Sequence, residues 1–378
     1  MRSGIAAILI ALPLLTSCDH GRQAAPDNAL STTLYFSNWE GEIGRNTLAE
    51  FESRTGIHVV LDDIPDNVTL QTKLLIGHSG SDVVVPSSNF LQPLIAAGAV
   101  QRLDRSRLAN WRHLDPAILA ALDQIDPGNQ YSVPFLWGTH AFAYNHAMVV
   151  KALGREPEPS WSLMFDPANA RRLASCGMTW QDSAGSIMLD LALLAIGRDP
   201  AGESLEDLRA AEAAFMRVRP YVRYIESGSR NRTDLASGEI CITIGANGEM
   251  LQARAMALES RSGADIRYVV PREGALMWVD LLVIPAGAPH PDAAYRFLDY
   301  LLEPTVIADI SMASRYANAN RDATSLLDEA MRDDPGIYPP EAEKARLHLV
   351  PAESQAYTRA RTAAWTRILA RERTDDAH

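Results

Sequence analysis

A two-lobed α/β fold is what this sequence predicts, and three observations predict it. From Thr33 to about Trp137, strand-like and helix-like patterns alternate, the order that builds parallel sheets with helices packed against them. Two runs, Asp82-Val83-Val84-Val85-Pro86 and Ile240-Cys241-Ile242-Thr243-Ile244-Gly245, are apolar with little alternation, as strands covered on both faces are. The chain of 378 residues also exceeds one ordinary core, since single cores stop growing at about 250–300 residues.

The amino terminus is an address rather than a part of either lobe. Met1-Arg2 is a short basic start, Gly4 to Leu15 is an apolar run, and Leu15-Thr16-Ser17-Cys18 closes it with small residues before a cysteine. The run falls short of the about 20 residues that span a bilayer. It resembles a bacterial lipoprotein signal, which implies removal of residues 1–17 and acylation of Cys18 as the new terminus. By the sorting rule that comes with this resemblance, Asp19 keeps the protein in the periplasm, anchored to the outer face of the inner membrane. Residues 18–31 are polar, contain Gly21 and Pro26 and lack periodicity, as a tether does.

Thr33 to Asn38 then reads as a first strand, with Asn38, Trp39 and Glu40 at its carboxyl end, where open parallel sheets hold their ligands. An aromatic plate beside an acid is suited to a cation and unsuited to phosphate. Leu48, Phe51 and the closing Gly56 predict a helix, and Ile57 to Leu61 a second strand. Leu70, Leu74 and Leu75 predict another helix before the Asp82 to Pro86 strand. Ser87, Ser88 and Asn89 are expected to cap the next helix, Phe90 to Ala97, and a hydroxyl there can also accept a hydrogen bond from an ammonium group.

Tyr131 to Met148 is a long extended run, broken by Pro134 and Gly138, that suits a passage from one lobe to the other. His140 and His146 could share a strand face, but no third ligand is spaced nearby and no metal site is assigned. Helices follow at Trp161 to Arg172, Ser186 to Ile196 and Glu206 to Val218. Beyond the strand of Ile240 to Gly245, Glu249 again lies at a strand's carboxyl end. Arg267 to Pro271 and Leu276 to Ile284 are expected strands, and Asp280 interrupts the second. An acid in an apolar strand needs a partner, because an unpaired buried carboxylate is costly; that partner is either an arginine of the protein or a cation from outside. A helix from Ala293 to Leu302, the irregular Ser314 to Asn320 and a helical tail from Gln355 to Arg373 complete the chain.

The formal charge of −12 and pI near 5.2 argue against a nucleic-acid partner. Enzyme signatures are missing: there is no GxSxG, HExxH, Walker loop or dinucleotide fingerprint, and Ser79 beside His78 has no triad setting. The expectation is a protein that is not an enzyme and carries no cofactor. With Cys18 acylated, Cys176 and Cys241 are the remaining thiols in an oxidising compartment and are expected to pair.

The segments FSNW, SDVVVPSSNFL, ASCG, GEICITIG, VPREGA, SRYANAN and PGIYPP, in that order between Leu34 and Trp365, resemble the bacterial polyamine-binding proteins of ABC importers, within the extracellular solute-binding protein family. The resemblance implies a two-lobed periplasmic type II fold, each lobe a mixed sheet flanked by helices, with the ligand cleft between them. Lobe 1 would comprise residues 32–137 plus 257–313, and lobe 2 residues 138–256 plus 314–372. It also implies a Cys176 to Cys241 bridge, and a putrescine-like or spermidine-like ligand held by Trp39, Ser87, Glu249, Trp278, Asp280 and Tyr316, to which Glu40 is added as the acid beside the first plate. The partner implied is an ABC permease or, alternatively, a membrane protein to which a polyamine sensor signals.

Four positions depart from the family pattern. Glu249 replaces an Asp, Gly41 stands where the family has an acid (although Glu40 and Glu42 flank it), Ser186 falls near an expected Glu, and Ala246 replaces a second pocket Trp. Together they imply a wider site with one carboxylate lost.

Overall fold

The computed structural model of the chain describes residues 32–370 apart from 78, 183–185 and 227. The leader, Cys18, the tether, His78, the Ser186 side chain and the tail beyond 370 therefore lie outside the described residues. Among the described residues no helix is long and apolar enough to cross a membrane.

Among the described residues eleven strands are formed: β1 Thr33–Asn38, β2 His58–Asp63, β3 Val83–Val84, β4 Val133–Asn145, β5 Met178–Gln181, β6 Val222–Glu226, β7 Ile242–Ala246, β8 Ile266–Val269, β9 Ala275–Leu282, β10 Ala317–Asn318 and β11 Leu347–Leu349. β1 lies between β2 and β3, parallel to both. The second sheet runs β11-β9-β4-β7-β5-β6, with β8 and β10 also paired to β4. Single bridges from Val84 to Val283 and from Ser87 to Asp280 carry the first sheet onto β9.

The long extended run read from the sequence is β4, a strand of 13 residues. Its first half pairs with the end of β9 and with β10, and its second half with β7, β8 and the start of β9. Two cores form on these shared strands. The first gathers Phe36, Phe51 and Phe297, packed edge to face with centroids 4.9 Å apart. The second gathers Trp161, Phe165, Trp180 and Phe215, with Trp180 and Phe215 4.5 Å apart.

By packing, Ile266 to Leu276 sit with the second lobe, and Ala317 to Ile337 with the first. β9 enters both cores, with Ala275 and Leu276 in the second and Val279, Leu281 and Leu282 in the first.

Local chemistry explains most boundaries. Gly56 ends the helix Thr47–Thr55 in a left-handed conformation with φ 73°. Asp66 caps Asn67–Leu75 by accepting from Thr69 N–H. The expected single helix from Trp161 to Arg172 is two, Ser162–Phe165 and Pro167–Leu173, because Pro167 cannot continue the first and Asp166 caps the second. Cys176 and Cys241 are joined, their Cα atoms 5.5 Å apart, pinning the turn before β5 to the entry of β7.

Candidate functional site

At the end of β1 the chain turns sharply. Glu42 N–H donates to the Trp39 carbonyl at 3.2 Å, Asn38 Nδ2 donates to the Glu42 carbonyl at 3.0 Å, and Gly41 takes φ 78°. This left-handed step, natural to glycine, leaves Glu40 exposed and brings Glu42 inside at 8 % exposure. Of the two acids flanking Gly41, it is thus Glu42 and not the expected Glu40 that the structure brings into the site. Trp39 is half-buried beside it, and the Trp39 Nε1 and Glu42 Oε2 atoms are buried without a hydrogen-bond partner.

Asp280 on β9 is 3 % exposed. Ser87 does not cap the following turn with its side chain. Its hydroxyl instead donates to Asp280 Oδ1 at 2.7 Å, and Asn67 holds Ser87 through its Nδ2 to the hydroxyl and its Oδ1 to the backbone N–H, both at 3.0 Å. Glu42 is the acid beside Asp280. Burial pushes Asp280 up to about 7, and burial together with the neighbouring Asp280 holds Glu42 well above the usual carboxylate range. The sequence left Asp280 either an arginine or an outside cation; among the described residues its neighbours are a hydroxyl and a second carboxyl, and no arginine acts on it.

The opposite wall is built by β7 and the helix Asn247–Ser260, which begins directly at the strand end and places Glu249 in its first turn. Glu249 Oε2 accepts from Gln181 Nε2 at 3.4 Å. Burial raises its pKa, while the Arg232 charge, a backbone hydrogen bond and Gln181 pull it back. A Cβ added at Gly228 would lie 2.3 Å from Glu249 Oε1, so that wall is closely packed.

Between the walls stand two rings. Trp278 lies opposite Gly138 in the β4–β9 register, and a Cβ on Gly138 would strike its ring at 2.5 Å. Tyr316 packs edge-on against Trp278 at 4.9 Å and 85°, and so closely over Gly248 that a Cβ there would come within 2.2 Å. The Trp278 Nε1 is buried without a partner. Burial raises the Tyr316 hydroxyl pKa, and the charges of Glu42, Glu249 and Asp280 raise it further against Arg232. One phenol therefore stands in the combined field of three carboxylates drawn from both walls.

The structure thus brings Trp39, Ser87, Glu249, Trp278, Asp280 and Tyr316 to one region, leaves Glu40 in solvent, and adds Glu42, Asn67, Gln181 and Arg232. Glu42 had a sequence signal, an acid beside the missing one, and Gln181 closes an apolar strand; Arg232 and Asn67 had none. Ala246 opens the helix Asn247–Ser260 opposite His140, whose pKa burial lowers to about 4, keeping the ring neutral. His146 lies elsewhere, at the start of a helix, bonded to Glu156 at 2.8 Å. Among the described residues no group of three or more His, Cys, Asp or Glu is placed to hold a metal.

The profile of the bacterial extracellular solute-binding protein family matches residues 46–339. The chain is 40% identical over 361 residues to the putrescine-binding periplasmic protein SpuD of Pseudomonas aeruginosa, spanning 95% of this chain and 97% of that protein. It is 39% identical over 338 residues to the putrescine-binding periplasmic protein PotF of Escherichia coli, spanning 89% and 91%. The fold matches that of the spermidine/putrescine ABC transporter substrate-binding protein PotD from Streptococcus pneumoniae with a TM-score of 0.78 at 24% identity, covering 89% of this chain and 98% of that one. These relatives are solute-binding proteins and not enzymes. On the matched length, the identity and the shared two-lobed architecture, the chain belongs to the bacterial extracellular solute-binding protein family.

Proposed function

We propose that the protein captures a polyamine in the periplasm, closes its lobes upon it about the Gly138 and Trp278 crossing, and delivers it to an ABC importer while held at the membrane by acyl chains on Cys18. The observation that carries the polyamine reading is the pair Glu42 and Asp280, two buried carboxyls to which no lysine or arginine contributes charge. A desolvated acid pair without an internal cation is complementary to an ammonium group, which offers three donors and a full charge. The second amine of the ligand is assigned to Glu249. The methylene stem then lies against Trp39, Trp278 and Tyr316, where cation–π attraction adds to apolar contact. The names of SpuD and PotF, both putrescine binders, support the same ligand class.

Calorimetry and thermal unfolding against putrescine, cadaverine, agmatine, spermidine and spermine test the ligand. At a hundredfold excess over Kd a true ligand stabilises the folded state by about 2.7 kcal/mol. The reading fails if none of the five shifts unfolding or gives a heat of binding. Uptake of the identified amine by cells with and without the gene tests delivery, and an unchanged rate would remove the importer from the proposal.

A further inference from the structure

Glu42 and Asp280, 8 % and 3 % exposed, are neighbouring acids, each acting on the other's titration. Two ionised carboxylates are acceptors only and repel each other, so a buried pair without a cation favours holding one proton between them. Asp280 already accepts from the Ser87 hydroxyl at 2.7 Å, and that hydroxyl is committed because it accepts from Asn67 Nδ2 at 3.0 Å. The proton therefore belongs to the pair, and Glu42 Oε2 is buried and unpartnered. The Asn38 amide that could have served it is turned to the Glu42 backbone carbonyl instead.

We infer that Glu42 is a ligand-reading residue and that Glu42 and Asp280 act as one proton-exchanging unit: the unliganded pair shares a proton, and an incoming ammonium group displaces it. This deepens the polyamine reading and rests on it. The balance is simple. The O–H bond of the shared proton breaks, the proton passes to water, the ammonium keeps its own protons and donates two of them, and the pair goes from one negative charge to two as one positive charge arrives. The groups facing the pair are consistent with this. Ser87 and Asn67 are neutral; Tyr316, from the turn before β10, is held protonated by burial and by the acids around it; Glu249 adds negative charge across the site; and Arg232 acts on Tyr316 and Glu249 rather than on the pair. Positive charge must therefore come from a proton or from the ligand. Exchange makes the first wall selective for a group that carries both a charge and several N–H donors, because a neutral amine or a hydroxyl cannot replace the proton it expels.

Calorimetry with putrescine as the probe, in two buffers of different ionisation heat, counts the protons. The full protein should release about one proton per ligand below neutral pH, and its affinity should tighten about tenfold per pH unit from about pH 5 to 7. Glu42→Gln, which cannot give up a proton, should bind with no buffer-dependent heat and a flat pH profile. An infrared carboxylic-acid band at neutral pH in the difference spectrum of the unliganded protein minus Glu42→Gln, where Asp190 and Glu249 cancel, reports the shared proton with no ligand present. Putrescine binding whose heat is the same in both buffers overturns the exchange and leaves the polyamine reading intact. If none of the five amines binds, the polyamine reading and the exchange both fall; a missing acid band overturns the shared proton alone.

Discussion

The two lobes answer the same electrostatic problem differently. In the second lobe buried acid is compensated from within: Asp190, 4 % exposed and raised to about 7 by burial, is paired to Arg361 at 3.2 Å, and the same guanidinium takes Glu353 at 2.8 Å. Glu249 is likewise met by Gln181 and the field of Arg232. In the first lobe Glu42 and Asp280 are also buried, and among the described residues no cation acts on them. Truncating one partner of a buried pair leaves a costly charge, so an acid without a partner persists where something else supplies the charge. The contrast locates the demand for ligand charge in the first lobe and makes the second lobe the more self-sufficient half.

The largest expected break in that contrast is covalent. The Cys176 to Cys241 bridge closes 65 residues of the second lobe, and opening it with reductant should cost about 4 kcal/mol of stability in the chain-entropy view. Chemical unfolding with and without reductant measures this; no change in midpoint would mean the second lobe does not depend on its staple.

A smaller effect separates the lobes by pH. The folded pKa of Asp280, about 7, lies above the usual carboxylate value, so the unliganded folded state holds its proton more tightly than the unfolded chain. Stability conferred by the raised affinity of the pair for its proton is complete below about pH 4 and is lost as pH rises through about 7. Asp280→Asn should flatten this fall, whereas Asp190, present in both proteins, cancels in the difference. Thermal unfolding of the two proteins across that window decides the matter, and parallel profiles would refute it.

The smallest effect concerns shape. Ala246 faces His140 across β4 and β7 with only a methyl group. Ala246→Trp should narrow the second wall and favour putrescine over spermidine by about 1 kcal/mol, a typical value for a change of one group in a binding pocket. Competition titrations with the two amines measure the ratio; an unchanged ratio would place position 246 outside the ligand's reach.

Much of this was legible in the sequence because it rests on local chemistry. The strand ending beside Trp39 and the strand carrying Asp280 followed from apolar runs, and the end of the first helix at Gly56 followed from its capping residue. What was not legible depends on direction and distance. Whether Glu40 or Glu42 turns inward is decided by the left-handed step at Gly41 and by two hydrogen bonds, not by composition. Ser87 reads as a helix cap until Asp280, 193 residues away, is placed against it. Arg232 reaches the site from the helix Gly228–Ser237, packed beside Asn247–Ser260, a proximity no pattern encodes.

The central claim is that the first lobe carries the charge that binds. Titration of putrescine and spermidine into the wild-type, Asp280→Asn and Glu249→Gln proteins tests it most directly. The account predicts that Asp280→Asn, which keeps the shape and removes the charge, weakens binding by about 2 to 5 kcal/mol, and that Glu249→Gln, on the compensated wall, weakens it by about 1.5 kcal/mol, the worth of one hydrogen bond to a charged group. Unchanged affinity in Asp280→Asn, or a larger loss in Glu249→Gln, would contradict it.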